Sequence, residues 1–164
     1  MGLLETCGTM IRLDLPDIDT TARIARSLAP LLRTGDVIAL EGDLGAGKTA
    51  FARFLIQALG VEDEVPSPTF TLVQTYAVEG RDFDAVWHFD LYRIEHPDEI
   101  EELGMDEAFD TGVTLIEWPA RMGDELPADR LSIGLGLVED RRSMTLSGGP
   151  SWTGRLLQIG ELPV

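Results

Sequence analysis

Along this chain, short apolar runs alternate with stretches in which apolar residues recur at helical spacing. Thr9–Leu15 alternates, with Met10, Arg12 and Asp14 set against Ile11, Leu13 and Leu15, and so predicts a strand that Pro16-Asp17 ends. A helix follows to about Leu32, capped by Asp19 or Thr20, with Ile24, Ala25, Leu28, Leu31 and Leu32 on one face. Pro30 is expected to kink or shorten it. Val37-Ile38-Ala39-Leu40 is a continuous apolar run, the pattern of a strand buried on both faces of a parallel sheet. Thr49–Leu59 reads as a helix with Phe51, Phe54, Leu55 and Ala58 inward, and Gly60 stops it. Two prolines keep Val65–Thr69 extended.

The second half continues in the same way. Phe70–Val78 and Val86–Asp90 predict an antiparallel pair of strands around the turn Glu79–Asp82. Pro97–Leu103 begins a helix, Val113–Trp118 is a further apolar strand, and a short polar helix or loop runs from Pro119 to Pro127. Arg130–Leu137 and Ser143–Leu146 predict two last strands flanking Glu139-Asp140. Ser147–Pro150 reads as a loop and Ser151–Leu157 as a helical segment. The residues up to about Gly8 are expected to be loosely attached. No repeat, linker or low-complexity tract interrupts the order, so 164 residues predict one α/β domain with a mixed, largely parallel central sheet flanked by helices.

The strand-to-helix junction carries the chemistry. Gly42-Asp43-Leu44-Gly45-Ala46-Gly47-Lys48-Thr49 matches the phosphate-loop pattern G-x-x-x-x-G-K-[ST] in full, after a buried-type strand and before a helix. Glycines let successive backbone N–H groups turn inward as an anion nest, and the helix N-terminus adds partial positive charge. Lys48 is expected to reach the β- and γ-phosphates of a nucleoside triphosphate, and the Thr49 hydroxyl to ligate Mg²⁺. Two acids end apolar strands downstream, Asp90 and Glu117, and either fits as the carboxylate that holds the metal. A strand-end acid can also do no more than begin a loop. His88, in step with the inward side chains, reads as a satisfied core histidine, and His96 as a surface residue. Trp87, Trp118 and Trp152 read as packing.

Charge changes the picture of partners. With 13 bases against 29 acids the net charge is −16, and no basic run offers a surface for phosphates. This argues against direct, tight nucleic-acid binding, so any role in nucleic-acid biology would pass through a partner protein. Twelve of the 13 bases are arginine, and the one lysine is Lys48, inside the phosphate loop. A compact ammonium fits between phosphate oxygens where a planar guanidinium does not. Cys7 is the only cysteine and reads as passive, which leaves neither an intrachain disulfide nor a thiolate cluster. No apolar stretch approaches the roughly 18 residues of a membrane span, and the first residues lack the pattern of a signal peptide, so the cytoplasm is the expected location.

Four segments in order, Gly42–Thr49, Ser67-Pro68-Thr69-Phe70-Thr71-Leu72, His88-Phe89-Asp90-Leu91-Tyr92-Arg93 and Glu117-Trp118-Pro119, together resemble the TsaE family, over roughly Leu15 to Ile133. The resemblance implies a small ATPase of tRNA threonylcarbamoyladenosine biosynthesis. It would work beside a heterodimer that transfers the threonylcarbamoyl group to adenosine 37 of tRNA. By position it implies that Thr49 and Glu117 bind Mg²⁺, that Asp90 is needed for hydrolysis, and that Ser67–Thr71 is a switch-like loop near the γ-phosphate. A short further match puts Asp17 and Thr21 near the nucleotide's base. Ala50 departs from the family, where a second threonine often follows, but Thr49 already supplies the hydroxyl. No arginine finger stands in Val65–Thr71, so the charge or order that hydrolysis lacks is expected from a protein partner. The acids Asp98, Glu99, Glu101 and Glu102 either steer that partner or form a solvated helix face.

Two other functions share the phosphate loop. A small-molecule kinase would usually close a basic lid over the transferred phosphate, and only Arg93 and Arg121 offer themselves here. A GTP-dependent switch commonly reads guanine with Asn-Lys-x-Asp; this chain has no asparagine and no second lysine.

Overall fold

The structure is a computed structural model and describes residues 10–160. The expectations for the segment up to Gly8 and for Cys7 lie outside the described residues. Seven strands form one mixed sheet: β1 (Met10–Asp14), β2 (Val37–Glu41), β3 (Val73–Ala77), β4 (Ala85–Asp90), β5 (Val113–Glu117), β6 (Leu131–Val138) and β7 (Arg141–Gly148). Four α-helices accompany them: α1 (Ile18–Leu28), α2 (Lys48–Ala58), α3 (Met105–Thr111) and α4 (Thr153–Gly160). The strand order is β1-β7-β6-β2-β5-β4-β3. The four middle strands, β6, β2, β5 and β4, run parallel, while β7 and β1 on one side and β3 on the other join antiparallel.

The apolar run in β2 is explained by its place in the middle of that sheet. Ile38 and Leu40 face a core made with Leu28 of α1, Phe51 and Leu55 of α2 and Leu156 of α4. Val37 faces a second core with Phe89, Ile116, Met105 and Met122. A strand sandwiched between two such layers has no solvated face, so it cannot alternate apolar with polar. No helix among the described residues is long and apolar enough to cross a membrane.

Element ends differ from expectation in several places, most of them with a local cause. The cap of α1 is Asp17, two residues earlier than expected: Oδ1 accepts from the Thr20 N–H at 2.8 Å and from the Thr20 hydroxyl at 2.7 Å. Asp19 then sits in the first turn, where an acid complements the helix dipole. Helix α1 stops at Leu28 and gives way to a 3₁₀ turn, Ala29–Leu31, because Pro30 has no N–H to continue the ladder. Strand β3 begins at Val73, not Phe70, since Leu72 takes a left-handed φ of 68° and its carbonyl accepts the Asp90 N–H at 2.9 Å. The segment from Pro97 is a 3₁₀ helix to Leu103, and Gly104 at φ 80° separates it from α3. There Glu99 serves as a cap acid: its carboxylate accepts the N–H groups of His96 and Glu95, which hold its pKa below the usual value. In the last hairpin β6 is shifted by one residue and β7 is longer than expected at both ends, and Glu139 and Asp140 turn it with φ of 52° and 65°.

The foot of β2 is fastened to the C-terminal helix. Arg155 forks onto Asp36, Nη1 to Oδ2 at 2.6 Å and Nη2 to Oδ1 at 3.0 Å, and its guanidinium lies 3.6 Å from the centre of the Trp152 ring. Asp36 also accepts the Arg33 N–H, and Arg155 donates to the Leu31 carbonyl, so this buried pair has its other bonds satisfied.

The α1 cap supports a first prediction. The two Thr20 bonds lower the Asp17 pKa below its ordinary 3.8. A lowered carboxylate pKa contributes stability that is full above 3.8 and is lost as the pH falls through the folded-state value. Asp17→Ala is expected to lower the thermal midpoint at pH 7 and to leave it nearly unchanged below that window. Melting curves at both pH values check this, and an equal loss at both would show that the charge is irrelevant.

Candidate nucleotide site

The loop Gly42–Thr49 leaves the C-terminal end of β2 and opens α2, in the middle of the parallel strands. Open α/β sheets bind ligands at the carboxyl ends of such strands. Gly42 is required sterically: a Cβ there would come within 2.5 Å of the Leu135 carbonyl. Gly47, at φ 107°, is the left-handed residue before the first turn of α2, and its carbonyl accepts the Phe51 N–H at 2.9 Å. Lys48 is buried at 5% exposure. Its Nζ donates to the carbonyls of Gly42 (2.5 Å) and Asp43 (2.8 Å) and lies 4.2 Å from the centre of the Trp118 ring. Burial lowers the Lys48 pKa, opposed in turn by the charges of Glu117, Asp90 and Asp43.

Both strand-end acids converge on this loop. Leu40, Glu117 and Asp90 stand side by side in the registers of β2, β5 and β4, so the two carboxylates emerge next to the phosphate loop. The Thr49 hydroxyl donates to Glu117 Oε1 at 2.8 Å. Asp90 Oδ2 accepts from the Thr69 hydroxyl at 2.9 Å, and Oδ1 accepts the Tyr92 N–H at 3.0 Å. Because the Thr69 proton points at a carboxylate, Ser67 Oγ, 2.7 Å from Thr69 Oγ1, is the donor of that pair. The proline loop is therefore tied to the second acid by a hydroxyl relay. Lys48, Thr49, Thr69, Asp90, Tyr92, Glu117 and Trp118 line a cleft of about 230 Å³ together with Leu44, Gly45, Gly47 and Ala50.

A second hollow, about 380 Å³, opens on the other side of the loop between Asp43–Ala46 and Leu135, Gly136, Leu137 and Arg142. Asp17 and Thr21 line neither space: Asp17 caps α1 and Thr21 is buried.

Two residues that pattern alone assigns to packing belong to the site. Trp118 adopts a left-handed φ of 61°, its ring faces Lys48, and the Tyr92 ring packs on it at 5.1 Å. His88, fully buried, places Nε2 2.8 Å from Glu117 Oε2. The local pattern around His88 holds no sign of this, because Glu117 lies 29 residues away and meets it only through the β4–β5 pairing. His96 is exposed and caps the 3₁₀ helix, as a surface residue should.

A phosphate loop between a central parallel strand and a helix, with two acids at neighbouring strand ends, defines an α/β P-loop domain. The model of the family described as threonylcarbamoyl adenosine biosynthesis protein TsaE matches residues 15–144, and the chain belongs to that family. A Bacillus subtilis (strain 168) protein named tRNA threonylcarbamoyladenosine biosynthesis protein TsaE is 41% identical over 134 residues, covering 79% of this chain and 80% of the relative. A protein of the same name from Haemophilus influenzae is 34% identical, covering 80% of this chain and 85% of the relative. The crystal structure of Bacillus subtilis YdiB superposes with a TM-score of 0.75 at 31% identity, covering 92% of this chain and 93% of that one.

Proposed function

We propose that this protein, a single domain working in the cytoplasm, binds and hydrolyses Mg-ATP in the cleft at the phosphate loop. The hydrolysis sustains the heterodimer that forms N6-threonylcarbamoyladenosine at position 37 of tRNA. The observation that carries this is the convergence of the only lysine, the Thr49 hydroxyl and two strand-end carboxylates on one loop, in a chain of the TsaE family.

The donor set suits magnesium. Thr49 Oγ1 and Glu117 Oε1 are hard oxygen donors 2.8 Å apart at the cleft wall. Among the described residues no group of three or more His, Cys, Asp or Glu side chains forms a metal site by itself. That fits an ion held by few protein oxygens, with phosphate and water completing its shell. Thr49 and Glu117 would hold the ion, and its chemistry there is neutralisation of charge on the phosphate oxygens. The loop amides and Lys48 cradle the triphosphate. Asp90 sits where a carboxylate can orient an attacking water, with Thr69 reporting on it from the switch-like loop. The second hollow, with an apolar wall at Leu135 and Leu137, accepts the base, and the family resemblance is the support for Asp17 and Thr21 on that side.

With a net charge of −16 the chain repels RNA, so a protein surface is the natural source of the missing order or charge. Steady-state ATPase rates should be slow for the protein alone, unchanged by tRNA, and raised by the purified heterodimer. The acidic stretch at Asp98, Glu101 and Glu102 is exposed, and stimulation that weakens between low and high salt would reflect steering by it. Stimulation by bare tRNA, or none by the heterodimer, would overturn the reading and favour a small-molecule kinase.

A further inference from the structure

We infer that His88 is a positioning residue for the metal ligand: it holds Glu117 by one carboxylate oxygen so that the other faces Thr49 and the ion. The inference rests on the Mg-ATP reading above. His88 is 0% exposed, and its Nε2 lies 2.8 Å from Glu117 Oε2, while the Thr49 hydroxyl occupies Oε1 at 2.8 Å. A carboxylate only accepts, so the imidazole carries its proton on Nε2. Two donors, one per oxygen, fix the plane of the Glu117 carboxyl group.

These two bonds are not equivalent. Thr49 Oγ1 keeps two lone pairs while it donates, but its bond lies on the oxygen that faces the ion and must accommodate it, whereas the His88 bond sits on the opposite oxygen and needs no change. His88 is thus the contact that keeps Glu117 aimed through loading and release. Its other nitrogen argues the same way. Nδ1 is buried without a hydrogen-bond partner. Buried polar atoms are normally satisfied, and an apolar side chain of similar size would fill this place in β4 without leaving one orphaned. Packing therefore does not explain an imidazole here, and the bond to Glu117 does. Hydrogen bonds that orient a metal ligand typically change metal affinity by about 10- to 100-fold when removed.

The test compares wild type, His88→Leu and His88→Gln, the last with an amide N–H that can take the place of Nε2. ATP affinity is measured by calorimetry with EDTA and with saturating Mg²⁺, and Mn²⁺ binding in the presence of ADP by electron paramagnetic resonance. Wild type should bind more tightly with the metal. His88→Leu should lose about tenfold or more of that tightening, and weaken Mn²⁺ binding alike, at unchanged metal-free affinity; His88→Gln should recover most of it. Equal tightening in His88→Leu and wild type would overturn the inference, and so would a glutamine no better than leucine. A metal-free affinity that falls in step with the rest would overturn it too, by showing a merely structural residue. Wild type without any metal-dependent tightening would instead sink the magnesium reading itself.

Discussion

Lys48→Ala is expected to weaken ATP binding by about 10²- to 10⁴-fold. Two charge-assisted bonds to phosphate, at about 1.5–3 kcal/mol each, set that scale at about 1.4 kcal/mol per tenfold. The ammonium is already stationed at the loop, held by the carbonyls of Gly42 and Asp43 and facing Trp118, so little searching is needed for it to meet a phosphate. The backbone nest remains in the variant, but amide dipoles alone cannot balance a triphosphate. Lys48→Arg should restore the charge without restoring the affinity, because a planar fork does not fit where an ammonium does. A pH signature accompanies this. Burial lowers the Lys48 pKa from 10.5, and a bound triphosphate would raise it. Wild-type affinity should therefore be full below the lowered value and fall as the pH rises through the window between the free and bound values, while Lys48→Ala shows no such alkaline decline. Calorimetry across pH 7–10 (about the range where a lowered lysine titrates) reads both effects. Equal affinity of variant and wild type at neutral pH would remove the phosphate-loop assignment.

Asp90→Asn is expected to keep nucleotide while losing turnover by about 10²–10⁴-fold, the range for a general base or water-orienting group. The substitution is nearly isosteric. The Asn oxygen can still accept the Tyr92 N–H at the place of Oδ1, and the amide can donate to the Thr69 hydroxyl at the place of Oδ2. What disappears is the negative charge and the acceptor for a water proton, needed in the transition state and not for binding. Glu117→Gln should behave in the opposite way and lose the metal-dependent tightening of nucleotide. Single-turnover hydrolysis with the heterodimer present, alongside equilibrium binding, separates the two. If both variants lose nucleotide affinity equally, the two acids do not divide the work in this manner.

How much of this was legible beforehand varies with the range of the interaction. The phosphate loop is a local pattern, and its strand and helix lie within one residue of where periodicity puts them. The antiparallel β3–β4 pair was equally readable, from two runs around a turn. The start of β3 was not, because Leu72 adopts its left-handed φ to meet Asp90, a contact that no propensity at Phe70–Leu72 encodes. The cap of α1 was misplaced by two residues, since Asp17 and Asp19 have the same chemistry and only the geometry of Thr20 chooses between them. At the site, Thr49, Asp90 and Glu117 follow from motif and strand ends. The partners of His88 and Trp118 do not, because both depend on the register between strands and on the backbone turn after β5.

The Asp36–Arg155 clasp spans 119 positions of the chain, and β1 finds its partner only in β7, near the other end. During synthesis, at about 5–20 residues per second, the foot of the nucleotide-binding strand waits about 6–24 seconds for its counter-ion to be made. Until then Asp36 is a carboxylate whose buried place in the fold cannot be filled without penalty. The phosphate loop is thus translated early, while the ion pair that fastens the foot of its strand is completed late. The last helix to be translated among those described thus completes the fastening of a strand made long before it, which gives α4 a place in the order of assembly as well as in the packing.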